Sequence, residues 1–257
     1  VLILSTILTP FILSRVLSTI EYQAYAGILS LLPLLNILAQ SLRNGSATRI
    51  SLSLRNHDPD IVYSTFRFMV IAAVLVSYLL AFLVFAVLFS IEDFGVDTRL
   101  LYIGAFCLAS NCCGVIVISL IAGPSSAMMD FIPENIGKAA PNTVTLMGLI
   151  LILIVRPESA YVWAFSAVLS GPWIVAAFLA LAYRSELHSR YKGNFLLSSG
   201  VLWNFLHGLR GLMWWNLAAY LATTISVTIV AVYHTKYIVP FTIATSLVGV
   251  TSAALIA

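Results

Sequence analysis

Apolar runs of about bilayer-spanning length, separated by short charged links, recur along the whole of this 257-residue chain. A helix that crosses the hydrocarbon of a bilayer needs about 20 largely apolar residues, and its backbone polar groups must be satisfied within the segment. On that template the sequence divides into eight spans, over 1–16, 25–42, 68–90, 100–122, 139–155, 160–183, 209–231 and 237–257. Composition supports this reading, with 61% apolar and only 9% charged residues, against roughly a quarter charged in ordinary soluble domains. A soluble single domain and a disordered chain are both excluded. Continuous runs, not ten-residue alternations, exclude a barrel. The fold class is all-α, a polytopic membrane helix bundle.

The apolar stretch from 195 to 233 is too long for one span and too short for two. Gly208 and Gly211 interrupt it, so an interfacial helix over 195–207 followed by the seventh span is expected. Cys107, Cys112 and Cys113 share one apolar run and have no metal-ligand spacing. The chain opens on Val1 and ends on Ala257 within apolar sequence, with no cleavable leader pattern; it reads as an internal piece of a longer protein.

Lysines and arginines orient the spans. The links after the even-numbered spans carry Arg43, Arg49, Arg55, Arg67, Lys138, Arg184, Arg190 and Lys192, eight against the four (Arg15, Arg99, Arg156, Lys236) of the other side. The even links are therefore assigned to the cytoplasm, where the N-terminus also lies. No link exceeds about 25 residues, so the function must reside in the bundle itself.

Five of the nine prolines fall in spans (Pro10, Pro33, Pro141, Pro172, Pro240), suggesting bent helices. Ala73, Ser77 and Ala81, and Ala105, Ala109 and Cys113, form small-residue stripes, of which plain helix packing is the commoner reading. Asn36 and Gln40 share a face of span two; Ser110 and Asn111, Asn142 and Thr143, and Asn216, Thr223, Thr224 and Ser226 add polar groups to three others. Singly, such amides usually clip helices together; on four helices they allow a shared polar cavity. Arg210 costs about 2.5–3.5 kcal/mol at a helix centre unless it snorkels from the cytoplasmic mouth. Interface anchor is its commoner role, and a span starting near Ser199 would put it mid-membrane. Trp203, Trp214, Trp215 and His207 around it could stack on sugars or form an interfacial belt. Glu92, Asp93 and Asp97 on an outer link suit either a solvated turn or a membrane glycosyltransferase. No nucleophile motif, metal set or phosphate loop is found, so no catalytic residue, metal or cofactor is assigned.

The stretch from Pro10 to Tyr25, with Leu17, Glu21-Tyr22 and Tyr25, resembles the first outer turn of polysaccharide flippases. These are the lipid-linked oligosaccharide exporters of the multidrug/oligosaccharidyl-lipid/polysaccharide superfamily. Gly45-Ser46-Ala47-Thr48-Arg49-Ile50 is similar to the family's run leaving helix two for the cytoplasm, and 225–252 resembles the restart of its second half. Ala24 replaces a usual glycine, and Ser226 stands nearest an acidic position that is absent here. The resemblance implies a two-lobe transporter of 12–14 helices. Residues 1–183 would be the six-helix N-terminal lobe, 184–208 a cytoplasmic linker with the interfacial helix, and 209–257 the start of the C-terminal lobe. It implies alternating access that moves an undecaprenyl-pyrophosphate-linked oligosaccharide to the outer leaflet of the cell (inner) membrane, in O-antigen or other polysaccharide synthesis. Membrane lipids and polysaccharide-assembly membrane proteins are the implied partners, and nucleic acid is not one. Side-chain chemistry and expected depth nominate Arg210, Arg15, Asn36, Gln40, Asn111 and Asn142 as substrate contacts. The alternatives are a glycosyltransferase or polymerase using lipid-linked sugars, which would want longer outer loops, and a multidrug exporter, which would want a carboxylate well within a span.

Overall fold

The computed structural model describes residues 2–29, 32–53, 59–91 and 98–223, with a few single positions between 226 and 245. Among the described residues the regular structure is entirely helical: α1 (Leu2–Val16), α2 (Thr19–Leu29), α3 (Leu32–Ser53), α4 (Pro59–Ile91), α5 (Thr98–Ala127), α6 (Ile132–Val155), α7 (Ala160–Ala182), α8 (Arg184–Tyr191) and α9 (Ser199–Thr223). Four segments are long and apolar enough to cross a membrane: Pro59–Leu80, Tyr102–Ala127, Ile132–Val155 and Ala160–Ala182. They overlap the spans expected over 68–90, 100–122, 139–155 and 160–183, the first only in part; the other four expected spans are not among them. The span expected over 237–257 lies outside the described residues, apart from single positions. The outward face is that of a membrane protein: Ile154, Leu181 and Trp215 are each at least 73% exposed, a degree of apolar exposure that lipid tolerates and water does not.

Helix α5 is the hub, packed by α3, α4, α6 and α7, while α1 lies on α6 and α9 on α3. Ala73 and Ser77 of α4 and Ala109 and Cys113 of α5, from the small-residue stripes, are buried in these packed helices. Cys112 Sγ donates to Ser77 Oγ at 3.5 Å and Cys113 Sγ to the Val74 carbonyl at 3.8 Å. Leu17, Tyr22 and Tyr25 are buried, and Tyr25 sits 4.7 Å from the Phe165 ring. Glu21 acts on its own turn. Its carboxylate accepts from the Ser18 N–H (2.9 Å) and hydroxyl (2.7 Å), and Ser18 Oγ accepts from the Glu21 N–H (3.3 Å). This reciprocal capping box starts α2.

Two internal prolines have their freed carbonyls satisfied by other elements. Pro172 cannot bond the Val168 carbonyl four residues earlier, and Asn111 Nδ2 of α5 donates to that oxygen at 2.6 Å. Pro124 likewise frees the Leu120 carbonyl, which receives the Tyr191 hydroxyl of α8 at 3.0 Å. Such a repair is what a bent helix requires away from water. Burial, reinforced by Tyr63, pushes the Tyr191 phenol well above its ordinary pKa, so it remains the donor. Tyr191→Phe removes only that donor and is expected to cost about 1–2 kcal/mol, read as a lower melting temperature in detergent; an unchanged melting temperature would contradict the assignment.

Three local expectations are corrected. The Gly45–Ile50 run does not leave the helix but lies inside α3, which continues to Ser53. The interfacial helix expected over 195–207 and the span expected from 209 are joined in one helix, α9. Gly208 does not break it: a Cβ there would collide with Arg49 Nε, so this glycine is a seat for the arginine of α3, and Gly211 faces open space. Asn216 clips α9 to α3, its Nδ2 donating to Ser41 Oγ at 2.9 Å.

Candidate functional site

A cavity of about 640 Å³ lies among α1, α2, α3, α5, α6 and α7, within the roughly 300–1,000 Å³ of small-molecule sites. Three proline-bearing helices shape it, with Pro10, Pro141 and Pro172 all on its wall. Helix α3 contributes Asn36, Gln40 and Arg43, at i, i+4 and i+7 on one face. Helix α6 contributes Lys138, Asn142 and Thr145, which the helical period again puts on one side. Asn111 of α5, Tyr25 of α2 and Thr9 of α1 complete the polar lining.

Several of these groups lack a protein partner. The Tyr25 hydroxyl, Asn36 Oδ1 and Arg43 Nε are buried and make no hydrogen bond among the described residues. Buried polar atoms are ordinarily satisfied, so these three leave the cavity wall with hydrogen-bonding capacity for a polar occupant or water; Tyr22, Ser64, Thr65 and Ser119 carry further unpartnered atoms away from it. Arg43 makes no ion pair among the described residues, whereas Lys138 pairs with Glu134 one turn earlier on α6. The other Glu134 oxygen accepts from Ser126 Oγ of α5 at 2.7 Å. The lining is thus amide-rich with two cations, Lys138 ion-paired to Glu134 and Arg43 without an ion pair among the described residues.

Four of the six nominated residues, Asn36, Gln40, Asn111 and Asn142, line this single cavity. Asn111 has its Nδ2 committed to the Val168 carbonyl. Arg15 is exposed in the last turn of α1 and Arg210 is exposed midway along α9; neither lines the cavity. His207, Trp203, Trp214 and Trp215 are exposed on α9 as well. Glu92, Asp93 and Asp97 lie outside the described residues. Arg43 and Lys138 were missed because the hydropathy window ended span two at 42 and began span five at 139, so both were counted as link charges. Their helical spacing from Gln40 and Asn142 was the available signal. Among the described residues no group of three or more His, Cys, Asp or Glu side chains could hold a metal ion.

A second depression, about 600 Å³, lies between α4, the link after α5 and α8, lined by Asp60, Tyr63, Asp130, Glu186 and Arg190. Its arginine is already engaged, donating to Glu186 Oε2 at 2.6 Å and Ser125 Oγ at 3.4 Å. This arginine fastens α8 to the end of α5. No family model, curated protein or solved structure matches this chain.

Proposed function

We propose that the chain is a membrane transporter that flips an undecaprenyl-pyrophosphate-linked oligosaccharide from the cytoplasmic to the outer leaflet, in polysaccharide or O-antigen synthesis. The observation that supports this reading is the six-helix cavity whose wall joins Arg43 and Lys138 to Asn36, Gln40 and Asn142. A guanidinium with an unpaired N–H suits a phosphate oxygen, which it meets with charge-assisted hydrogen bonds. Amides and the Tyr25 hydroxyl suit sugar hydroxyls, whose donors and acceptors they match. The lipid tail needs no protein pocket, because it stays in the bilayer.

In this proposal about eight spans belong to a two-lobe protein of 12–14 helices in the inner membrane, with a cytoplasmic N-terminus. Residues 1–183 form one lobe; the boundary expected at 208/209 falls inside the continuous helix α9, so the link extends through α9 before the second lobe. Bent helices around a cavity accommodate alternating access, and α9, packed on α3, carries the chain toward the second lobe. Deleting the protein is expected to leave the lipid-linked glycan on the cytoplasmic leaflet and remove its polymer from the surface, with add-back restoring both. Normal surface polymer in the deletion, with no glycan lipid accumulating, would defeat the reading.

A further inference from the structure

The geometry points to Glu134 as a built-in competitor for the cavity's cations, holding Lys138 when no anion is bound and reclaiming it when the anion leaves. The inference rests on the transport reading above, in its claim that an anionic headgroup enters the cavity. Lys138 lines the cavity and its side chain is 44% exposed, whereas Glu134 does not line it and is 18% exposed. The two are ion-paired one helical turn apart.

What distinguishes the partners is mobility. Glu134 is anchored on its far side by the Ser126 hydroxyl of α5 at 2.7 Å. Lys138 carries its charge on a flexible four-carbon stem and has the cavity to swing into. Arg43, from α3 and lining the same cavity, feels the Glu134 charge but makes no ion pair among the described residues. A carrier must release what it binds. Two unopposed cations would hold a diphosphate more tightly and slow its release. An anchored carboxylate beside them offers Lys138 an alternative partner, so binding becomes an exchange of anions around the lysine and departure reverses it.

The test uses inorganic pyrophosphate as probe, titrated onto the whole purified protein in lipid nanodiscs. Glu134→Gln is expected to bind it about three- to tenfold more tightly than the unaltered protein, since one opposing charge is lost. Ser126→Ala, which only loosens the carboxylate, is expected to tighten binding by about twofold. Tighter binding is the opposite of what structural damage produces, and slower glycan export should accompany it. Should Glu134→Gln fail to fold, Ser126→Ala alone decides. If pyrophosphate binds, Arg43→Gln weakens it, and both Glu134→Gln and Ser126→Ala leave affinity unchanged or lower, the competitor is refuted while the transport reading stands. If the unaltered protein does not bind pyrophosphate at all, both fail.

Discussion

Gly171→Val is expected to leave little folded protein in the membrane. A Cβ on Gly171 would lie 2.6 Å from the Pro141 carbonyl oxygen and 2.8 Å from Thr145 Oγ1. The first of these is backbone on a neighbouring helix, at a proline, and cannot rotate aside as a side-chain end can. Helices α6 and α7 cross at this point, and both carry cavity-lining residues, so separating them also disturbs the chamber. Overpacking of a well-packed contact typically costs 1–3 kcal/mol, and against rigid backbone about 3 kcal/mol or more is expected. The checking measurement is the melting temperature in detergent together with the amount extracted from membranes. Gly211→Ala is the control: with nothing within 4 Å of its Cβ, it should change stability by under about 0.5 kcal/mol. Equal melting temperatures for Gly171→Val and Gly211→Ala would show that α6 and α7 do not approach so closely.

The difference between those glycines also shows where sequence reading stops. Hydropathy located the helix-rich body of the chain, because apolar length registers one residue at a time. It could not separate Gly208, a seat for Arg49, from a helix breaker, because the deciding atom comes from α3, far earlier in the chain. Helix ends were misplaced for a related reason. A window ends where charge begins, yet α3 runs on to Ser53 and α6 begins at Ile132, both carrying charged residues as regular helix. Of the candidate site, the amides were legible since an amide among apolar residues stands out, and Asn36, Gln40, Asn111 and Asn142 do line one cavity. Its cations were not, since an arginine at a span's edge resembles a topological anchor. Prolines gave a partial signal: their number suggested bending, while the repair of Val168 and Leu120 carbonyls by Asn111 and Tyr191 depends on tertiary placement.

Those overlooked cations carry the largest functional effect. Arg43 and Lys138 with Glu134 leave the chamber one net positive charge. Arg43→Gln or Lys138→Gln brings it to neutral, and each is expected to weaken pyrophosphate binding about tenfold or somewhat more, as for a hydrogen bond to a charged group. The double variant goes further than the loss of two contacts. It leaves Glu134 with neither cation, so the site turns negative and repels the anion, and affinity should fall by about 100-fold or more, with glycan export lost at normal protein level. Adding Glu134→Gln to the double variant removes that repulsion without restoring any cation. Partial recovery of binding in the triple variant is therefore expected, which a model of independent contacts does not give. Arg43→Lys keeps the charge but not the planar fork, and should fall between unaltered protein and Arg43→Gln. Binding that survives in the double variant at the unaltered affinity would place the anion elsewhere on the molecule and remove this cavity from the transport route.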